Sequence, residues 1–503
     1  MKIMRLFFVF FVYFVVKHFD GKSSARFHPK YETFPIHCFR RFSGSWFFTA
    51  NRTFSHRKEI STMYLNPFVE THKNGLNSIV RNNTLEENGY LIVSDPTHPF
   101  YGIEKNEEIL ERFHLLTEAE RNMLVGRGYV SHNPLERTPF LEEIYRRVDS
   151  EERFGFTMFP TLNCNCRCGY CYQQHTNQPR MTDDAYTAIY SLVQKKIADG
   201  VRHIAINSMG GEPTLEAKRL VPFIDRCRKL CLDHGVSFSG SLTTNGTMLD
   251  PVLFHSAGID HFQVTLDGIA KIHDAMRPAA NGKPTFQRIV NNLLRIKNEN
   301  IDASCTIRTN HTIESVKPEN LHRFLEELSR NFGGNNRFEI DHTFASDLGG
   351  DNDIAMLIPQ NEKRDMIESI RALTHEYGLV TRLSRFSPNG GVCYAARSNH
   401  LTIMPDLKIM KCSVALDDAI NAVGRLLPNG ELILNENFER WVSDSLTDEK
   451  CQECCVVPIC QARFCPLKRI ETGENSCLRM PSANYFIREL SIRQSNLKRQ
   501  SAN

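Results

Sequence analysis

Cys164-Asn165-Cys166-Arg167-Cys168-Gly169-Tyr170-Cys171 is the stretch on which the reading of this chain turns. It holds the spacing Cys164-x3-Cys168-x2-Cys171, with an aromatic side chain just before the last cysteine. Three thiolates on one short loop can hold three irons of a 4Fe–4S cube, because protein clusters of this kind are ligated by cysteine thiolates. Three ligands for four irons leave one iron open, and an open coordination site is where a metal centre does chemistry rather than only bracing a fold. A structural zinc site competes with that reading, since a chain with 16 cysteines produces short spacings by chance. Cys166 is either a small buried apolar residue or a competing ligand.

Outward from this loop, composition sets the class. At 503 residues the chain is long enough for about three domains. Apolar content of 41% and charged content of 24% describe a globular protein with a sizeable core. A net charge of +3 gives no strong pull toward nucleic acid or acidic surfaces, so no nucleic-acid or membrane partner is expected. The cysteines gather around 164–171 and 393–477, which in a large enzyme reads as metal sites before disulfides. Low-potential clusters need reducing surroundings, so a cytoplasmic location is expected.

The first residues pull the other way. Leu6 to Val16 is a continuous apolar run behind a short basic start, of signal-peptide length and short for a membrane span. A secretory signal, a transit segment and upstream sequence outside the working enzyme all remain open. Residues 1–62 are read as a targeting-like or non-functional extension, with an internal start at Met63.

From Met63 to residue 150 the pattern is that of a small α+β module: a strand at Tyr90–Val93, helices over 107–113 and 117–125, and a strand from Tyr129. Thr117-x-x-Glu120 forms a capping box for the second helix. Then strands at 154–160, 203–209, 236–242, 261–266, 303–307 and 338–343 alternate with helices at 183–197, 216–234, 251–256, 286–297 and 318–331. Such alternation predicts parallel strands in a partial or full (β/α) barrel, with chemistry at the C-terminal strand ends. Met209-Gly210-Gly211-Glu212-Pro213 follows the second strand: glycines for close backbone approach, then proline just inside a helix. Thr243-Thr244-Asn245-Gly246-Thr247 closes the third strand and Thr265-Leu266-Asp267-Gly268 the fourth; Asn-Gly and Asp-Gly are also ordinary turn pairs. Cys227, Cys231 and Cys305 fall on helix or strand faces and read as core.

The cysteine spacing with Tyr170, followed by these motifs in order on successive strands, resembles the radical S-adenosylmethionine (SAM) enzymes. The resemblance implies a partial (β/α)6 TIM-like barrel over 151–350, open on one side to admit a large substrate. It implies that the open iron chelates the amino and carboxylate groups of SAM, and that reductive cleavage yields a 5′-deoxyadenosyl radical. Tyr170, Gly210, Gly211, Glu212, Pro213, Asn245 and Thr265 become the cofactor-binding set. In it Glu212 receives the SAM amino group and Thr265 faces the ribose. Cys166 then reads as a variant of an apolar position.

The C-terminal cysteines resemble the SPASM extension of auxiliary clusters, here 393–480, reached through a linker or helical bridge at 351–392 and followed by a tail at 481–503. By that resemblance Cys451, Cys454, Cys460 and Cys477 hold one cluster, and Cys393, Cys412 and Cys465 belong to another. The chain departs from the family in several places. Leu407 stands where the hairpin usually has glycine, four residues separate Cys460 from Cys465, and no cysteine lies just upstream of Cys393. Cys455 and Cys38 are spare.

Enzymes of this architecture modify peptides and proteins, and the N-terminal module resembles the winged-helix, leader-peptide-binding modules of some of them. A peptide or protein substrate and a small electron donor such as flavodoxin or ferredoxin are the expected partners. Sulfatase maturases of this type place an aspartate base directly after the second SPASM cysteine. Here that position is Ser413, with Asp417 and Asp418 further on. Maturation of a ribosomal peptide therefore ranks above formylglycine formation, and a non-catalytic zinc-stabilised binding protein is the alternative from another class.

Overall fold

The computed structural model describes residues 63–477, apart from 75–76, 83–89, 94, 135–141, 144–145, 174–177, 300, 348–355, 383–390, 444–450 and 452–453. The readings made for 1–62 and for the tail lie outside the described residues. The chain divides into two compact units, Met1–Arg137 and Thr138–Asn503.

In the first unit, β2 (Val69–Asn74), β3 (Asn77–Asn82) and β4 (Tyr90–Val93) form an antiparallel sheet, while β1 (Tyr64–Leu65) pairs with β5 (Val130–Ser131). Helices Glu108–Phe113 and Glu118–Gly126 lie between them in the chain. Val80, Phe100, Ile103, Ile109, Leu124 and Tyr129 are in its buried core. The capping box at Thr117 is complete, with Glu120 N–H on the threonine hydroxyl and the Glu120 carboxylate on Thr117 N–H. Strands β2 and β3 were not anticipated, because Glu-Thr-His-Lys-Asn carries no apolar alternation from which to read a strand.

The residues just before Arg153 pack within the second unit. Val148 is buried with Val392 and Ala396, and Asp149 pairs with Arg463, so these residues belong to the second unit.

In that unit β6 (Arg153–Met158), β7 (His203–Ser208), β8 (Ser237–Thr244), β9 (Ile259–Thr265), β10 (Ser304–His311) and β11 (Phe338–Phe344) run parallel, in sheet order equal to chain order. Strands of this register need covering helices, and these follow at Asp183–Ala198, Ala217–Asp233, Pro251–Ala257, Phe286–Asn298 and Pro318–Phe332. A further helix, Ala270–Met276, was not anticipated. The helix after β11 is Lys363–Glu376, inside the stretch read as a linker or helical bridge; its Ile370 is buried in the barrel core. Cys227, Cys231 and Cys305 are in that core as well.

The other face of the sheet is polar. Ser241 donates to Asn207 (3.0 Å), Asn207 to Thr157 (3.4 Å), and the Thr157 hydroxyl meets His400 Nε2 at 3.1 Å. His400 belongs to β12 (His400–Ile403), which pairs in parallel with β6 and opens an antiparallel run through β13 (Lys408–Met410), β14 (Ala422–Leu426) and β15 (Leu432–Leu434). One ten-stranded sheet thus carries both the barrel and the start of the cysteine-rich region. Among the described residues no helix is long and apolar enough to cross a membrane.

Buried histidines set an acid limit. Burial holds His311 down to about 3 and His400 to about 3, and keeps His273 and His342 well below the usual value. These rings are neutral in the folded chain, so their contribution is fully present above the unfolded value of about 6.5 and is lost as pH falls, by about 1.4 kcal/mol per unit for each ring. The variant His311→Gln should show a slope of stability against pH that is shallower by about that amount between about pH 6 and pH 4, measured by urea unfolding.

Candidate active site

The cysteine loop leaves the C-terminal end of β6 and is clamped from two sides. On one, Arg167 N–H and Gly169 N–H donate to the carbonyls of Pro278 (2.8 Å) and Met276 (2.9 Å), and Ala280 N–H donates back to Asn165 (2.8 Å). On the other, Gly211 N–H and Glu212 N–H, past the end of β7, donate to the carbonyls of Thr161 (3.0 Å) and Asn163 (2.9 Å). The glycines are required by this second clamp. A Cβ on Gly211 would lie 2.2 Å from the Asn163 carbonyl oxygen, and one on Gly210, at φ +133°, 2.6 Å from that of Thr161. Close approach was expected on sequence grounds; what the two glycines approach here is the cysteine loop itself. Pro213 opens the 3₁₀ turn Pro213–Glu216.

Glu212 is fully buried and its carboxylate gathers the strand ends. Oε1 accepts from Thr214 N–H (3.1 Å), Thr214 hydroxyl (2.6 Å) and Thr244 hydroxyl (2.6 Å), and Oε2 accepts from Asn245 N–H (2.7 Å). Burial raises its pKa while these donors pull it back. A carboxylate has about four lone-pair positions; three bonds crowd Oε1, so the remaining capacity is on Oε2. Asn245 turns its amide to Asn165 (2.7 Å) and to Cys164 Sγ (3.7 Å), and its carbonyl oxygen takes the Thr247 N–H (2.9 Å). Asn245-Gly246 is therefore more than a turn pair.

Tyr170 is half-buried, and its hydroxyl is committed to three side chains: the Asp267 carboxylate, Arg277 (2.6 Å) and Asn310 (3.0 Å). Thr265, at the end of β9, is buried two residues before Asp267. Asp267, 1% exposed, takes Asn310 N–H at 2.7 Å and pairs with Arg277 across 3.6 Å. Sequence reasoning took Asp267-Gly268 for a turn pair and passed over Arg277 and Asn310; nothing in their neighbours marks them. Arg277 is buried with its Nε lacking a hydrogen-bond partner, and its charge acts on Cys164, Cys166, Cys168, Tyr170 and Cys171.

Among the described residues no three His, Cys, Asp or Glu side chains converge tightly enough to hold a single metal ion. The thiols nevertheless fall into groups. Burial pushes Cys168 up to about 12, with Cys171 and Cys164 adding to it. Cys164 is lowered by a hydrogen bond with Cys166, whose own thiol is raised by that bond and by burial. Cys166 is 1% exposed and forms an isolated antiparallel bridge with Ala279. In the C-terminal region burial pushes Cys393 up to about 11, with Cys412 and Cys465 adding to it. Cys460 is pushed up to about 12 by burial, with Cys454, Cys451 and Cys477 adding. Cys393 N–H donates to the Arg463 carbonyl (3.0 Å) and Gly391 N–H to that of Ile459 (3.1 Å), which joins the two stretches. Leu407, in the β12–β13 hairpin, has φ +65°, the left-handed region where glycine is cheapest.

Residues 158–328 match the model of the radical SAM superfamily. The chain carries a radical SAM domain. Among curated relatives, it is 23% identical over 180 residues to the cysteine-type anaerobic sulfatase-maturating enzyme of Clostridium novyi (strain NT), covering 34% of this chain and 45% of that one. It is 27% identical over 146 residues to the serine-type enzyme of Klebsiella aerogenes, covering 28% and 35%. The chain thus spans less than half the length of these relatives. Among solved structures, native anSMEcpe with bound AdoMet and Cp18Cys peptide aligns at TM-score 0.51 and 15% identity, over 69% of this chain and 99% of that one. That likeness is one of fold, and it agrees with a radical SAM domain built on a mostly parallel sheet.

The clamp gives a direct test. Gly211→Ala must push β7's turn off the cysteine loop, so it should cost at least about 2 kcal/mol, the range of backbone-strain and core lesions. The check is the urea midpoint of the full chain without added cofactor.

Proposed function

We propose that this chain is an iron–sulfur enzyme that reductively cleaves SAM and uses the resulting radical to modify a side chain of a peptide or protein. The observation that carries it is the meeting, at the C-terminal strand ends, of three grouped thiols, a carboxylate with spare capacity on one oxygen, and a buried guanidinium with an orphaned Nε. The donor set fits a 4Fe–4S cluster: thiolates on one loop, a cation to offset their charge, and the Asn245 side-chain amide on one sulfur to tune it. Cys164, Cys168 and Cys171 would hold the cluster. When bound, it supplies the electron that cleaves the sulfonium of SAM.

The chain's own residues do the positioning. Glu212 Oε2 is placed to accept from an ammonium group, a charge-assisted bond. Gly210, Gly211 and Pro213 fix the turn that presents it. Tyr170, through Asp267, Arg277 and Asn310, locks the far end of the cysteine loop to β9 and β10. Thr265 lines the ribose side. Cys166, buried and bridged to Ala279, packs rather than ligates. In the C-terminal region Cys451, Cys454, Cys460 and Cys477 would take one auxiliary cluster, and Cys393, Cys412 and Cys465 a second. Flavodoxin or ferredoxin is the class of electron donor such a site uses, and the first unit is suited to hold a leader segment of the substrate.

Formylglycine formation is the second reading, favoured by the names of the curated relatives. The site argues for another product. The Ser413 hydroxyl meets the Tyr394 hydroxyl at 2.6 Å, and Tyr394 also takes the Ser413 N–H at 2.8 Å. Burial raises the Tyr394 phenol, so neither group ionises at neutral pH to act as a base. Asp418 is engaged in capping Ile420 N–H at 3.0 Å.

Two experiments decide. After anaerobic reconstitution, Cys164→Ala, Cys168→Ala and Cys171→Ala should each abolish 5′-deoxyadenosine formation while Cys166→Ala keeps most of it; equal loss in all four would overturn the ligand set. Offered a sulfatase-motif peptide, the chain should cleave SAM without making formylglycine, read by mass spectrometry. Stoichiometric formylglycine would reverse the ranking of the two readings.

A further inference from the structure

A cavity of about 350 Å³ opens between the cysteine loop and the β12–β13 hairpin. Its position is set by Tyr172, which lines it. Tyr172 follows Cys171 in the chain, and its half-buried phenol donates to the carbonyl of Ser413 (2.8 Å), the residue after Cys412. The cavity therefore lies between the two thiol-bearing loops. Its size is at the low end for ligand pockets, on the order of 300–1,000 Å³, enough for one long side chain.

The lining has two parts. Leu162, Met404, Met410 and Leu416 form apolar walls, and they pack together in one small cluster with Phe159 and Met209. The methionines are buried, and thioether side chains adapt to an occupant better than branched ones. The charged lining residues are Asp406, Asp417 and Lys408, two carboxylates against one ammonium. Asp406 is partly committed, its Oδ1 accepting Lys408 N–H at 3.1 Å. An apolar sleeve with net negative charge suits a methylene stem ending in a cation.

We propose that this cavity seats a lysine or arginine side chain of the peptide on which the chain acts, its stem along Met404 and Met410 and its cationic head on Asp417, with Asp406 beside it. The proposal rests on the peptide-substrate reading and adds the residue class that the substrate presents next to the modified position.

The test uses capped pentapeptides that carry photoreactive p-benzoylphenylalanine beside arginine, norleucine or glutamate. Benzophenone inserts readily into methionine C–H bonds, so Met404 and Met410 report occupancy. Each peptide is irradiated with the full reconstituted chain, and adducts are mapped by tandem mass spectrometry. The arginine peptide should label Met404 or Met410 about tenfold more than the glutamate peptide, the factor one charge-assisted hydrogen bond supplies, and clearly more than the norleucine peptide. Asp417→Asn should erase the preference for arginine, and Lys408→Gln should increase it, with thermal unfolding midpoints confirming that both variants fold. Equal labelling by arginine and norleucine would reduce the cavity to an apolar hole and overturn the proposal, as would labelling confined to other sites. 5′-Deoxyadenosine is measured on the same samples. Charge-selective labelling without SAM cleavage would sink the radical reading alone, and cleavage without charge-selective labelling would sink the seat alone.

Discussion

The buried carboxylate of Glu212 is the constraint on which the rest depends. An ionised group with no water must find its hydrogen bonds in the protein or lose its charge. Glu212 finds them on Thr214, Thr244 and Asn245, so the ends of β7 and β8 cannot move apart without exposing it. Its own N–H, with that of Gly211, holds the cysteine loop from β6. Three consecutive strand ends are thus fixed to one residue, by its side chain and its backbone together, and the thiols inherit their positions from it. The opposite edge of the loop is held by a buried charge pair, Asp267 and Arg277, acting through the Tyr170 hydroxyl.

This division of labour explains what could be read in advance. The parallel barrel was legible because strands that alternate buried and half-buried residues and amphipathic helices leave different periodicities, and because glycine and proline mark the turns between them. The cysteine loop and Gly210-Gly211-Glu212-Pro213 were legible because their residue types are rare at that spacing. Arg277 and Asn310 were not, since one arginine and one asparagine mean nothing until the fold brings them to Tyr170. Strands β2 and β3 escaped because their mostly polar residues carry no alternation, while the helix at Lys363–Glu376 was legible only as a linker or helical bridge without bounds.

Ser413 shows how a small change redirects a site. Where a carboxylate would be charged at neutral pH, the hydroxyl pair of Ser413 and Tyr394 is neutral, and it is spent on holding two loops together. Asp417, a few residues on, lines the cavity walled by Leu162, Met404, Met410 and Leu416.

The pairing of β12 with β6 has a further consequence. Four residues of each strand are in register, from His400 opposite Gly155 to Ile403 opposite Met158. Strand spacing in a sheet is about 4.8 Å and stiff. The separation between the cysteine loop, which leaves β6, and Cys412, which ends the β12–β13 hairpin, is therefore a property of a hydrogen-bonded ladder and not of the long connection through residues 345–399. The sheet thus acts as the ruler between the two cysteine-bearing loops, independently of the length of chain that joins them.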